Sequence, residues 1–365
     1  MNELACPNCG HIGLSKYGFE RNGNQRFRCT GCSYTTCKLD GLDVFIPDGY
    51  QVKGTSTLYR DGKQALQWVK TSIDAERQQE VFREALAGMK ERLPRLAPVT
   101  TPTATLADLA NLYVITDYHI GMLAHHTEGG ADWDLKIAEK TLNGCFSQMI
   151  DSAPTADTAI ICQLGDFLHQ DSIYPQTGTF GSSHILDADS RFTKIIRVAI
   201  KCLRNMIDMA LKKHKDVYVI LAEGNHDVTS SIWLREMMAA LYEDDSRVTI
   251  DTSELPYYVY QHGETMLAFH HGHLKKMASL TATFAAQFAP IWGTTKFRYA
   301  HCGHLHHTHI KEDAGMIVTQ HQTLTAKDSY SARHGYHAIR GAQCITYHVK
   351  HGQVATNNVT PEMLM

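Results

Sequence analysis

From Asn111 onward the chain repeats one device: a compact apolar run ends abruptly in a short segment of glycine, aspartate, asparagine and histidine. Leu112-Tyr-Val-Ile115 leads to Asp117-Tyr-His119, Ala159-Ile-Ile-Cys162 to Gly165-Asp166-Phe-Leu-His169, and Val217-Tyr-Val-Ile-Leu221 to Gly224-Asn225-His226-Asp227. His271-Gly272 and Gly303-His304-Leu-His306 follow later apolar stretches. Runs this short, bounded by turn residues, read as buried strands. Helices are expected near 134–150, 188–214 and 231–242, and further strands near 257–261, 265–270, 298–302, 315–320 and 342–349. Strands alternating with helices point to the α/β class, in which a site gathers on the loops leaving neighbouring strands.

The five polar segments hold the donors for such a site. They offer two carboxylates (Asp117, Asp166), one amide (Asn225) and four imidazoles (His119, His271, His304, His306). That is a full ligand set for two adjacent divalent ions. Mixed oxygen and imidazole donors suit manganese, iron or zinc better than magnesium alone, and manganese is the first expectation. A single residue separates Asp117 from His119, so both side chains can turn toward one ion; the two oxygens of Asp166 can bridge two ions. His226 points away from its neighbour Asn225, which leaves it free for proton transfer. Histidine is abundant, with 22 in the chain and 14 of them between His262 and His351. His270 is an alternative to His271 as ligand, and His273, His307 and His309 are expected near the ions or the substrate.

The N-terminal region reads differently. Cys6-Pro-Asn-Cys9 and Cys29-Thr-Gly-Cys32 are two CxxC pairs separated by the 19 residues from Gly10 to Arg28. The spacing matches a four-thiolate structural zinc site, and so small a module would draw much of its folding free energy from the metal. A redox dithiol is the competing reading, and Cys37 is a spare thiol. Lys16, Tyr17, Phe19, Arg21, Arg26, Phe27 and Arg28 lie between the pairs, and basic residues interleaved with aromatics can hold phosphates and stack on bases. A β-hairpin is expected within 42–70, turning at Arg60-Asp61-Gly62. Thr71-Ser-Ile-Asp74 has the form of a capping box opening a helix to Leu93, whose Phe82, Leu86, Met89 and Leu93 could serve a homo-oligomer contact. Residues 94–108, rich in proline and threonine, read as a linker. The expected plan is thus a ribbon at 1–40, a hairpin and helix at 41–93, the linker, a main domain at 109–351 and a tail at 352–365.

The formal charge of -3 excludes a polybasic coat. A secretory leader and a membrane span are not expected. With six further cysteines scattered rather than patterned, a reducing cytoplasm is the expected compartment. The glycine-rich stretch from Asp171 to Asp189 is a candidate substrate wall. Arg191, Lys327, Tyr330, Arg333 and His334 are weaker candidates for flanking phosphate contacts.

In order and content the five segments resemble the calcineurin-like metallophosphoesterase signature, over roughly residues 111 to 310. The resemblance implies a four-layer αββα sandwich with a dinuclear site at one sheet edge. It implies Asp117, His119, Asp166 and His306 on one metal, and Asp166, Asn225, His271 and His304 on the other. His226 would protonate the leaving oxygen or steady the transition state. Two ions about 3.5–4 Å apart lower the pKa of a bridging water and clamp the attacking and leaving oxygens. Phosphoprotein phosphatases carry GDxxDR and RGNHE; this chain has His169 where their aspartate falls and lacks their phosphate-gripping arginines. The Gly165-Asp-Phe-Leu-His169 form is similar to DNA repair exonucleases of the SbcCD type, which implies that His169 orients the scissile diester. The arrangement of ribbon, hairpin and phosphoesterase resembles metallophosphoesterases of tailed bacteriophages, which implies the host cytoplasm as the compartment if the chain is phage-encoded. The expected activity is a metal-dependent nuclease with nucleic acid, DNA first, as substrate. A phosphodiesterase of small or cyclic nucleotides is the alternative within enzymes, and a non-catalytic DNA- or protein-binding adaptor the alternative outside them.

Overall fold

Around the second cysteine pair the chain forms a small antiparallel sheet of β1 (Leu14–Phe19), β2 (Gln25–Cys29) and β3 (Thr35–Thr36). The computed structural model describes residues 6, 8–9, 11–12, 14–19, 25–36, 50–60, 63–73, 99–173, 175–177 and 185–364. Two compact units divide the chain, Met1–Ala75 and Glu76–Met365. In the first unit β4 (Tyr50–Arg60) and β5 (Lys63–Ile73) pair antiparallel, with Arg60 opposite Lys63, so the hairpin turns at the expected place with longer arms. Thr71, Ser72 and Ile73 belong to β5, which corrects the reading of Thr71 as a helix cap. Val69 and Ile73 continue a β-branched run, and pairing with β4 outweighs the short local capping signal. The helix expected from there to Leu93, its oligomer contact and Cys37 lie outside the described residues.

In the second unit the apolar runs become neighbouring parallel strands, β6 (Leu106–Ile115), β7 (Ala156–Gln163) and β8 (Asp216–Leu221). They continue into the short β9 (Val248–Ile250) on one side. A second sheet is built from β10 (Tyr258–His262), β11 (Thr265–Phe269), β12 (Phe297–Cys302), β13 (His309–Asp313) and β14 (Met316–Gln320), in the order β10-β11-β12-β14-β13. The chain then returns to the first sheet as β15 (Ala342–His348) and β16 (Gly352–Val359), completing the order β16-β15-β6-β7-β8-β9. The domain therefore takes in Leu106 at one end and Val359 at the other. Residues 352–359 form an edge strand where a tail was expected, and Val99 packs on the core with its carbonyl held by Arg247 Nη1 at 2.8 Å.

Period-two alternation decides what each strand faces. Leu112, Val114, Ile160, Cys162 and Ile220 meet Leu267, Phe269 and Tyr299 of the other sheet in one shared core. Their neighbours Tyr113, Ile115, Ile161 and Val219 point the opposite way, against helices Leu135–Ser152 and Phe192–Lys213. On the far side of the second sheet, Met266, Ala268, Ala300 and Val318 pack with Leu280 and Phe284 of helix Met277–Gln287. Asp134 caps helix Leu135–Ser152 by accepting from Ile137 N at 2.7 Å. That helix buries Leu135, Ala138, Leu142, Cys145, Phe146 and Met149 at helical spacing; Phe146→Ala would cost about 3–5 kcal/mol. No helix among the described residues is long and apolar enough to cross a membrane.

Candidate metal centre

The five polar segments follow the C-terminal ends of β6, β7, β8, β11 and β12. Backbone hydrogen bonds continue past the strands and tie the loops together. Asp117 N donates to Gly165 O at 3.0 Å, His119 N to Asp166 O at 3.0 Å and Gly303 N to His271 O at 2.8 Å. The loops bend sharply there. Seven described non-glycine residues have positive φ, and five of them are candidate ligands: Asp117 (50°), His119 (49°), Asp166 (51°), His304 (71°) and His306 (59°). Each left-handed residue costs roughly 1–2 kcal/mol, so strain is concentrated where side chains must converge. Gly224 permits that convergence, because a β-carbon on it would overlap the Asp166 carboxylate.

The side chains gather in two groups, within each of which every donor atom lies within 4.8 Å of the others: Asp117, His119 and His306, and Asp166, His271 and His304. In the first, His306 Nε2 is 3.1 Å from Asp117 Oδ1 and 3.4 Å from His119 Nε2. Two nitrogens on one tetrahedral ion at bond lengths of about 2.1 Å sit about 3.4 Å apart. In the second, His271 Nε2 is 3.1 Å from Asp166 Oδ2 and 3.3 Å from Asn225 Oδ1. His271 Nδ1 donates to Leu164 O at 2.8 Å, which leaves Nε2 as the donor atom facing the carboxylates. The groups adjoin, since His271 Nε2 is also 3.9 Å from Asp117 Oδ1.

Charge follows the same geometry. Burial disfavours ionisation of Asp117, yet His306 and His271 outweigh it and hold the carboxyl well below its usual range. Asp166 is likewise held low against its burial, chiefly by His271. Burial opposes a proton on His271, but Asp166 and Asp117 push this imidazole up to about 10. Burial, then the neighbouring His226, keeps His119 neutral. Buried carboxylates facing imidazole nitrogens are a donor set that could hold a divalent cation.

His226 stands outside both groups and gathers instead with His119 and His169, a third set whose donor atoms lie within 4.8 Å of one another. Its Nδ1 donates to His169 O at 2.9 Å, its backbone N donates to Asp166 Oδ1 at 2.7 Å, and its ring lies 4.7 Å from that of His119. His169 is buried behind these rings, with Nδ1 at 3.4 Å from His119 Nδ1 and its ring stacked on His226 at 5.7 Å. His270 turns away from the ligands: its Nδ1 accepts from Gly272 N at 2.9 Å and its ring stacks on Tyr257. The ring of His273 lies 5.3 Å from that of His271, whereas His307 and His309 are exposed on the way to and along β13. Arg191 and Arg333 are exposed, before helix Phe192–Lys213 and at the end of helix Ser329–Arg333, and belong to neither ligand group. Arg28 is half-buried on β2, and the side chain of Arg26 lies outside the described residues.

Several residues that the motif reading passed over hold the ligands in place. The buried Asp227 carboxylate accepts from Asp166 N at 3.2 Å, Leu168 N at 2.9 Å and Gly224 N at 3.1 Å. Burial, reinforced by the Asp166 charge, pushes Asp227 up to about 7. Thr116 Oγ1 donates to Asp117 Oδ2 at 2.6 Å. Thr323 and Thr325, on the segment after β14, donate to the Asp117 carbonyl at 2.8 and 3.0 Å, and Thr325 also bonds the Tyr118 carbonyl. Asp227 was visible as a motif letter. The threonines sit about 200 positions from the aspartate they serve, and no local pattern marks them.

In the first unit Cys6, Cys9, Cys29 and Cys32 bring their sulfurs within 4.8 Å of one another. Cys6 Sγ lies 3.7 Å from Cys32 Sγ, and Cys9 Sγ 3.7 Å from Cys29 Sγ. Four sulfurs on a tetrahedral ion with bonds of about 2.3 Å sit about 3.8 Å apart, far beyond a disulfide length. Gly31 N donates to Cys29 Sγ at 3.3 Å, as a thiolate turn requires.

The sequence matches no protein-family model and resembles no curated protein. Solved structures align with most of the chain at low identity. A conserved uncharacterized protein of Streptococcus pneumoniae TIGR4, described as a predicted phosphoesterase, shares 10% identity over 70% of this chain and 91% of its own, with a TM-score of 0.31. A novel archaeal phosphodiesterase shares 13% over 68% of this chain and 98% of its own, at 0.34. Vps29 of Entamoeba histolytica complexed with zinc shares 12% over 69% and 99%, at 0.28.

Proposed function

We propose that this chain is a two-metal phosphodiesterase of the calcineurin-like type, with its sheets and helices layered as a four-layer sandwich, acting on nucleic acid. The observation that supports this reading is the pair of adjoining ligand groups, Asp117–His119–His306 and Asp166–His271–His304, with His226 beside them but in neither. Two divalent ions, manganese first with iron, zinc or magnesium as alternatives, would supply an activated water and neutralise charge collecting on the phosphoryl oxygens. Asp117, His119 and His306 would hold one ion, Asn225, His271 and His304 the other, and Asp166 both.

The chain's own residues do the rest. Donation from His226 Nδ1 to the His169 carbonyl assigns that nitrogen a proton, so that in the doubly protonated imidazolium Nε2–H would donate to a phosphoryl oxygen or pass its proton to the leaving oxygen. His169, stacked on His226 and against His119, would steer the diester by fixing those two rings. A structural zinc on Cys6, Cys9, Cys29 and Cys32 would fold a module carrying Arg26 and Arg28 as backbone-phosphate contacts. A tethered basic module raises the local concentration of a polymer, which favours a nucleic-acid diester over a small nucleotide.

The test offers single- and double-stranded DNA, RNA, cyclic dinucleotides and a chromogenic phosphodiester with manganese, to the wild type and to His226→Ala. Polynucleotide cleavage reduced by about 10²–10⁴-fold in the variant is expected. Turnover of small nucleotides alone would move the substrate to the second class, and activity indifferent to His226 would overturn the assigned roles.

A further inference from the structure

Helix Val228–Leu241 begins directly after the His226 segment, and the residue in its capping position does not cap it. The leading N–H groups of a helix lack partners within it, and a side-chain oxygen just before the first turn ordinarily accepts from them. Asp227 holds that place, but its side chain makes no capping bond. Its carboxylate is turned inward, to the N–H groups of Asp166, Leu168 and Gly224. The cap comes from another part of the chain. Asp171 accepts from Thr229 N at 2.8 Å with Oδ2 and from Ser230 N at 2.7 Å with Oδ1, so both its oxygens are engaged at the first turn. Asp171 lies two residues beyond His169, whose carbonyl accepts from His226 Nδ1 at 2.9 Å. The N–H of His169 donates to Ile120 O at 3.1 Å, beside the Asp117–His119 segment. Residues 169–171 and 226–230 are therefore fastened together at the His169 carbonyl and again at the Asp171 carboxylate.

We propose that Asp171 is a positioning residue for His226: by clamping the 169–171 segment to the first turn of the helix, it keeps the His169 carbonyl where it fixes the imidazole and aims Nε2 at the phosphoryl group; this rests on the phosphodiesterase reading above. An imidazole turns about two side-chain bonds, and a hydrogen bond to Nδ1 sets that rotation only while its acceptor stays in place. His169, Gln170 and Asp171 belong to neither strand nor helix, so ties to neighbouring elements hold this carbonyl. Moving it by about 1 Å would carry the 2.9 Å bond from Nδ1 beyond hydrogen-bonding range. Misplacing a catalytic group on that scale costs about 10²-fold in rate. Asp227 cannot take over the cap, because turning outward would release the three amides that shape the Asp166 and Gly224 loops. The two aspartates thus have separate tasks: Asp227 holds the loops that carry metal ligands, and Asp171 holds the seat of the proton donor.

The test compares the full manganese-loaded chain with Asp171→Ala, His226→Ala and the double variant, on chromogenic diesters with good and poor leaving groups. Asp171→Ala is expected to lower kcat rather than raise KM, by about 10²-fold, with manganese content unchanged. The loss should be greatest for the poor leaving group, whose departing oxygen most needs the proton. In the His226→Ala background Asp171→Ala should cost nothing further, because its effect passes through the ring. Asp171→Asn keeps one acceptor oxygen and should show the same pattern on a smaller scale, which preserves the comparison if the alanine chain fails to fold. A second readout needs no turnover. In the zinc-loaded chain labelled with 15N-histidine, the His226 Nδ1 proton, assigned by its absence from His226→Ala, should exchange slowly with solvent in the wild type and fast in Asp171→Ala. An equal loss on both leaving groups, a full loss persisting in the His226→Ala background, or an Nδ1 proton indifferent to Asp171→Ala would each overturn the positioning role. Absence of wild-type turnover defeats the phosphodiesterase reading and this proposal with it, whereas turnover sensitive to His226 beside any of those three results defeats the proposal alone.

Discussion

The cysteine cluster of the first unit and the aspartate–histidine cluster of the second are built in opposite ways. Cys6, Cys9, Cys29 and Cys32 come from two tight turns around a three-stranded sheet of 6, 5 and 2 residues, where only a small core is available. The aspartates and histidines of the larger unit stand on loops between two sheets whose shared core includes Leu112, Ile160, Leu267 and Phe269. In the first case the metal would make the fold; in the second the fold makes the site. The strain bears this out, since the left-handed backbone at Asp117, His119, Asp166, His304 and His306 persists only where surrounding packing over-determines it.

The contrast is most exposed by removing a thiolate. Cys29→Ser should unfold the first unit, because structural zinc contributes on the order of 10 kcal/mol to such modules. Limited proteolysis should then cut within 1–75 while the larger unit keeps its thermal transition; a protease-resistant first unit would show that the ribbon folds without its zinc. Next in size is a loss at the other centre that leaves the fold intact. Asp166→Asn removes the shared carboxylate, and at least a 10³-fold loss of manganese-dependent diester turnover is expected with unchanged circular dichroism. A loss of secondary structure instead would mean that the metal centre, like the ribbon, holds its own scaffold together.

A third test concerns acid. His214 is fully buried, taking a hydrogen bond from Tyr113 Oη at 2.8 Å and donating to Ala156 O at 2.8 Å, and burial depresses its pKa to about 4. Its unfolded value is near 6.5, so the folded state favours the neutral ring. That stability is present above pH 6.5 and is lost as pH falls through 6.5 toward 4. The loss should reach about 2 kcal/mol by pH 5, and His214→Gln should remove this share of the slope in urea titrations at several pH values. A slope unchanged by the substitution would exclude His214 as its source. The smallest effect is expected at Thr325. Thr325→Val frees the Tyr118 carbonyl and leaves the Asp117 carbonyl to Thr323, and should weaken manganese binding by roughly tenfold, about 1.4 kcal/mol, with Thr325→Ser restoring it. Failure of serine to restore affinity would assign the loss to packing rather than to the hydroxyl.

How much of this was legible depended on whether the signal was local. The strands β6, β7, β8, β11 and β12 announce themselves as short apolar runs, and each hands directly into its polar segment. Helices Leu135–Ser152, Phe192–Lys213 and Val228–Leu241 lie close to their expected ranges. β13 and β16 escaped notice because their residues are polar and largely exposed, so no alternation marks them. At Thr71 a good local signal was overruled by a partner strand. Thr323 and Thr325 share no pattern with Asp117.

The central claim is that two ions occupy adjoining positions held by Asp117, His119, Asp166, Asn225, His271, His304 and His306. Manganese titration of the full chain, followed by electron paramagnetic resonance, tests it most directly. Two manganese ions per chain with a spin-coupled signal, as expected for ions about 3.5–4 Å apart, is the predicted result. A single uncoupled ion at saturation would contradict the account.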